Sequence, residues 1–153
     1  LARAAGAAGM VGGQMLDMEY AGMDQMDIQG LAALHARKTG ALLRASCLCG
    51  GLLAGVDAER AAALARYGTA FGAAFQIMDD ILDVTGTAEE LGKTPGKDAA
   101  QGKLTYPALL GLARSRELAL EQVRLAQSSL AAFNGPEAEF LRDLASLQVR
   151  RIA

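Results

Sequence analysis

The 153 residues suffice for one domain with a sizeable core. Just over half are apolar, Trp is absent, and Pro is confined to Pro95, Pro107 and Pro136, which favours a mainly helical protein with small side chains between close-packed helices. A net charge of −2 makes no electrostatic case for nucleic acid or an anionic membrane, so any anion must be held locally by a few cations.

The chain opens at Leu1 inside an Ala-rich helical pattern with no cap before it, which reads as a cut end. Residues 1–20 are expected to be helical, with Gly12-Gly13 as a soft point. Asp27 can cap a short helix over 28–36. Lys38-Thr39-Gly40 then interrupts the pattern, and a new helix is expected from about residue 40 to 54, with Thr39 as its cap and Gly55 at its end. Cys47 and Cys49 face apart around that helix and read as reduced thiols, consistent with a cytoplasmic chain.

Asp57 is the expected N-cap of a long helix over 58–84, with Gly86 just past its end. The stretch "GTAEELGKTPGKDAAQGKLTYP" (86–107) is Gly- and Lys-rich, although Thr87 and Glu90 have capping-box spacing for one short turn. A connection of that length is usually functional or disordered. Helices are expected over 105–113, 115–132 and 136–149, and "FNGP" (133–136) separates the last two. No segment alternates as a strand, no apolar run is long enough to span a membrane, and the N-terminus has no signal-peptide layout. The fold class expected is all-α, in one piece.

The long helix ends in "FQIMDDILDVTG" (75–86), which sets three carboxylates into an apolar stretch. At helical spacing Gln76, Asp79, Asp80 and Asp83 fall within about 100° of one another, with Thr69 and Gly72 on the same side one to two turns earlier. A solvated acidic face is the ordinary meaning of such a pattern. Here no Lys or Arg stands at i±4 on that face, and the helix C-terminus disfavours anions. The gap at Gly72 and Thr69 also suits a helix lining a cleft. Clustered carboxylates suit a hard cation such as Mg²⁺, which takes one or two of them and completes its shell with water and phosphate.

Two stretches look ready to receive that phosphate. Lys38 stands where a helix is expected to begin, so free N–H groups and the helix dipole add to its charge. Lys93, Lys97 and Lys103 follow the aspartates in a segment that Gly92, Gly96 and Gly102 make pliable. His35, the single histidine, reads as structural, and the methionines between Met10 and Met26 read as core filling.

In order, "GGQMLDM" (12–18), "HARKTGALLRA" (35–45), "FQIMDDILDVTG" (75–86) and "LGKTPGKDAAQGKLTYPALLGL" (91–112) resemble the C-terminal half of the trans-prenyltransferases, with bacterial farnesyl diphosphate synthases the nearest branch. The resemblance weakens after about residue 115. It implies an isoprenoid-synthase helical bundle around a central cleft, in a cytoplasmic homodimer. It implies the head-to-tail condensation of isopentenyl diphosphate with an allylic diphosphate, dimethylallyl or geranyl, releasing pyrophosphate and giving a short-chain product such as farnesyl diphosphate.

Three Mg²⁺ ions are implied in the complete enzyme, one of them held mainly by this half. Carried over by position, Asp79 is the direct metal ligand, with Asp80 and Asp83 acting partly through water and Asp17 facing the first metal cluster. Lys38 and Lys93 hold diphosphate, Lys103 belongs to a closing loop, and Thr39 and Gln76 flank the reacting carbons and pyrophosphate. Gln14 lies across the cleft. Phe75 packs near the isopentenyl site or else is a core aromatic.

Of the family's motifs, this sequence has neither the first aspartate-rich one with its paired arginines nor the early Gly-Lys-Arg segment that grips isopentenyl diphosphate. Residues 1–153 are therefore expected to be the second half of one synthase domain, with little or no turnover alone. Two alternatives stand beside this: a non-catalytic regulatory subunit, disfavoured by the retained lysines and aspartates, and a terpene cyclase, disfavoured by DDILD.

Overall fold

The computed structural model describes residues 1–20, 26–86 and 104–150. Among these every element is helical and there is no strand. In chain order they are α1 (Ala2–Ala5), α2 (Met10–Glu19), α3 (Ile28–His35), a π-helical turn (Ala36–Gly40), α4 (Ala41–Leu53), α5 (Ala58–Thr85), α6 (Tyr106–Leu110), α7 (Leu112–Ser129) and α8 (Pro136–Arg150). The long connection with its Thr87 turn, Lys93, Lys97 and Lys103 lies outside the described residues.

The long helix α5 is the axis of the molecule, wrapped by α4 on one side and α7 on another. Asp57 starts it as expected, accepting from the Arg60 N–H at 2.8 Å. Its first half packs Leu64, Tyr67, Ala70, Phe71 and Ala74 against Val123 and Ala126 of α7, Leu130 just beyond it, and Ala145 of α8. Its second half packs Ile77, Met78 and Ile81 against Leu31 and Leu34 of α3, Tyr106 of α6 and Ala119 of α7. The Tyr67 hydroxyl donates to the Leu141 carbonyl at 2.8 Å, tying α5 to α8.

Small residues let α4 and α5 cross closely. A Cβ on Gly68 would lie 2.7 Å from the Arg44 Cα, and one on Gly72 would lie 3.0 Å from the Gly40 Cα. Gly72, read above as room beside the carboxylates, is thus filled by the backbone of the π turn rather than open.

Two expectations about the first forty residues need correction. The break in the N-terminal helical run falls between Ala5 and Met10, not at Gly12-Gly13. Gly13 is buried in α2, where the Lys38 backbone packs so close that any side chain would strike it.

The second concerns Lys38-Thr39-Gly40, which starts no helix. From Ile28 to Leu53 the backbone stays helical, widening to a π turn over Ala36–Gly40, with Gly40 at φ −62° and ψ −35°. The Thr39 hydroxyl caps nothing, and the array of free N–H groups expected beside Lys38 does not exist. The turn is held from outside, by α2 and α5, which a local reading cannot see. Single π turns within α-helices recur at functional sites.

Candidate functional site

The π turn sends successive side chains to two neighbours. Lys38 reaches α2, where its Nζ stands 2.9 Å from Asp17 Oδ2, with the two side chains 25% and 16% exposed. Thr39 reaches α5, donating through Oγ1 to Gln76 Oε1 at 2.9 Å. Gln76 is buried, and its Nε2 donates to Asp80 Oδ1 at 3.3 Å. The other oxygen of Asp80 accepts from the Tyr106 backbone N–H at 3.0 Å. A hydrogen-bonded line therefore runs from the π turn through α5 to the start of α6.

Tyr106 is the residue that sequence reasoning does not single out. Its signal was only the phrase "LTYP", in which Thr105 caps α6 by accepting from Ala108 N–H at 3.3 Å. Burial, and then the charge of Asp80, push the Tyr106 hydroxyl up to about 12. Its ring lies 5.7 Å from that of His35, and both line an apolar cavity of about 160 Å³ with Ala36, Gly40, Thr69 and Ala73.

The three aspartates do not share one open face. Asp79 is half-buried, whereas Asp80 and Asp83 are 3% and 1% exposed. Asp80, expected among the metal ligands, has both oxygens on protein donors, because α6 packs its first backbone N–H against it. Among the described residues no three His, Cys, Asp or Glu side chains converge as a ready ligand set. The half-buried Asp79, one turn beyond Gln76, fits an ion that needs one or two carboxylates and takes its other ligands from water and phosphate.

Gln14 lies exposed on α2, and Phe75 is 37% exposed on α5. The structure thus brings Asp17 to Lys38, and Thr39 to Gln76 and Asp80, with Asp79 next to Asp80 along α5. It does not join Gln14 or Phe75 to them by any hydrogen bond or ion pair. Cys47 and Cys49 are free thiols, and burial raises the pKa of Cys47, which makes it a poor nucleophile.

The fold is that of the isoprenoid synthases. It superposes on a geranyltransferase of Helicobacter pylori, solved with magnesium and isoprenyl diphosphate, at a TM-score of 0.79 and 32% identity, covering 98% of this chain and 48% of that one. Residues 4–131 match the family model described as polyprenyl synthetase, and the chain belongs to that family.

Among curated relatives it is 47% identical over 133 residues to a dimethylallyltranstransferase of Fischerella ambigua, covering 87% of this chain and 38% of the relative. It is 45% identical over 148 residues to the chloroplastic geranylgeranyl pyrophosphate synthase 3 of Arabidopsis thaliana, covering 95% and 41%. The chain therefore spans about two fifths of the length of these relatives. The family match runs beyond residue 115, where the motif resemblance weakens. Among the described residues no helix is long and apolar enough to cross a membrane.

Proposed function

We propose that this chain supplies part of the active site of a trans-prenyltransferase that joins isopentenyl diphosphate to an allylic diphosphate and releases pyrophosphate. The observation that carries this reading is the linked set Asp17–Lys38 and Thr39–Gln76, with Asp79 one turn further along α5. A cation and a hydroxyl from the π turn, and an amide and a half-buried carboxylate from α5, are thereby supplied by two helical segments packed on each other.

Prenyl transfer of this kind needs a diphosphate held while it departs, and an electron-poor carbon kept from water until a double bond attacks it. In this reading Lys38 binds the allylic diphosphate, and its pairing with Asp17 keeps the ammonium aimed while the substrate is away. Thr39 and Gln76 face the reacting carbons, Lys93 and Lys103 grip diphosphate, and Phe75 and Gln14 border the substrates.

Asp79 would hold Mg²⁺ directly, with Asp17 acting through water; Asp83, expected beside it, is fully covered within α5, and the metal would supply charge to stabilise the leaving diphosphate. Farnesyl diphosphate is the product proposed on the motifs. Geranylgeranyl diphosphate competes with it, because a relative at 45% identity bears that name. The assembly proposed is a cytoplasmic homodimer.

The test is to incubate the full-length protein with labelled isopentenyl diphosphate, geranyl diphosphate and Mg²⁺, then extract and size the lipid. A prenyl product that disappears with a chelator supports the reading. Labelled isopentenyl diphosphate recovered unchanged contradicts it.

A further inference from the structure

We infer that Asp80 is a positioning residue, whose carboxylate fixes the direction of the Gln76 amide and, through it, which way the Thr39 hydroxyl points. The argument is one of hydrogen-bond polarity. A carboxylate can only accept, and a backbone N–H can only donate. Tyr106 N–H occupies Asp80 Oδ2 at 3.0 Å, so Oδ1 must also meet a donor, and Gln76 turns its NH₂ toward it at 3.3 Å. That leaves the Gln76 carbonyl oxygen for Thr39, 2.9 Å away, which obliges the hydroxyl to donate. Gln76 and Asp80 are 8% and 3% exposed, so bulk water does not scramble the order.

The consequence rests on the function proposed above. A Thr39 hydroxyl whose proton is committed to Gln76 offers lone pairs to whatever lies beside it. Lone pairs stabilise an electron-poor allylic carbon, whereas a hydroxyl proton aimed at that carbon opposes its charge. Asp80 thus acts on the reaction from two residues away, without touching substrate.

Asp80→Asn is the discriminating change, because it keeps shape and can keep the bonds to Tyr106 and Gln76 while reversing the line. Tyr106 N–H cannot invert, so the new carbonyl must stay with it and the new NH₂ must face Gln76. Gln76 then flips, and Thr39 becomes an acceptor with its proton released.

In the full-length protein, with isopentenyl and geranyl diphosphates as substrates, Asp80→Asn is expected to lower kcat by about tenfold. The Mg²⁺ concentration for half-maximal rate and Tm should stay as in the wild type. In a Thr39→Val background only the Gln76 amide is left to reverse, so the same change is expected to cost about threefold or less, since coupled sites are not additive. An equal fall in both backgrounds overturns the inference, as does a several-fold rise in the Mg²⁺ requirement, which would mark a metal ligand.

A second measurement decides the matter even if Asp80→Asn does not fold or the wild type transfers no prenyl group. Neutron diffraction from deuterated wild-type crystals reads the hydrogen positions directly. Deuterium on Thr39 lying toward Gln76 Oε1 supports the inference. A reversed Gln76 amide, with the Thr39 deuterium turned away, overturns it.

Discussion

Lys38 and Asp17 close the gap between the π turn and α2 with a 2.9 Å ion pair whose two side chains are largely covered. Pairs this enclosed differ from surface salt bridges, because removing one partner leaves the other charge poorly solvated. Lys38→Ala should therefore do two separable things. Taking the ammonium away from the largely covered Asp17 carboxylate should cost about 1–3 kcal/mol of stability, and losing the cation should raise the KM for the allylic diphosphate. Adding Asp17→Asn should restore much of the stability in a denaturation curve and none of the KM. An unchanged KM in Lys38→Ala would move the diphosphate elsewhere.

The close passage of α2 over the same turn gives a second prediction. Gly13 faces the Lys38 backbone with no room for a methyl group, and backbone cannot swing aside as a long side chain can. Gly13→Ala should destabilise by about 1–3 kcal/mol, the usual cost of overpacking. It should also impair turnover in proportion to the displacement of Lys38. Urea unfolding checks the first effect, and a midpoint equal to the wild type would show that α2 does not pack there.

Alkaline stability should report the two buried tyrosines. Burial raises the pKa of both Tyr67 and Tyr106, Tyr106 to about 12 against an ordinary 10. Between these values the folded chain keeps a proton that the unfolded chain has lost. The stability involved is fully present below pH 10 and is lost as pH rises toward 12. Unfolding midpoints should fall across that window, and Tyr106→Phe should flatten the fall. A Tyr106→Phe curve parallel to the wild type would contradict the assignment.

How far these features were legible in the sequence depended on whether their causes were local. Asp27 and Asp57 were readable as caps because each oxygen bonds an N–H three residues on, at 2.8 Å. The long helix was readable within a residue or so of its ends for the same reason. Lys38 and Thr39 stood out in the sequence, but not as a π turn, because Gly13, Asp17 and Gln76 hold that turn from other helices. Asp80 looked like a twin of Asp79 until α6 brought the Tyr106 N–H to it from 26 residues away. Helical spacing predicts which way a side chain points and is silent about what arrives to meet it.

If the Lys38, Thr39, Gln76 and Asp79 set serves prenyl transfer as proposed, single-turnover kinetics on Asp79→Ala in the full-length protein should show it. Asp79 is half-buried and has no place in the core, so the fold should survive, as circular dichroism would confirm. The rate of product formation should fall by about 10²-fold or more at saturating Mg²⁺, the scale set by losing a group that stabilises a leaving charge. A rate within a few-fold of the wild type, in a protein that remains folded, would contradict the claim and take the reaction away from this end of α5.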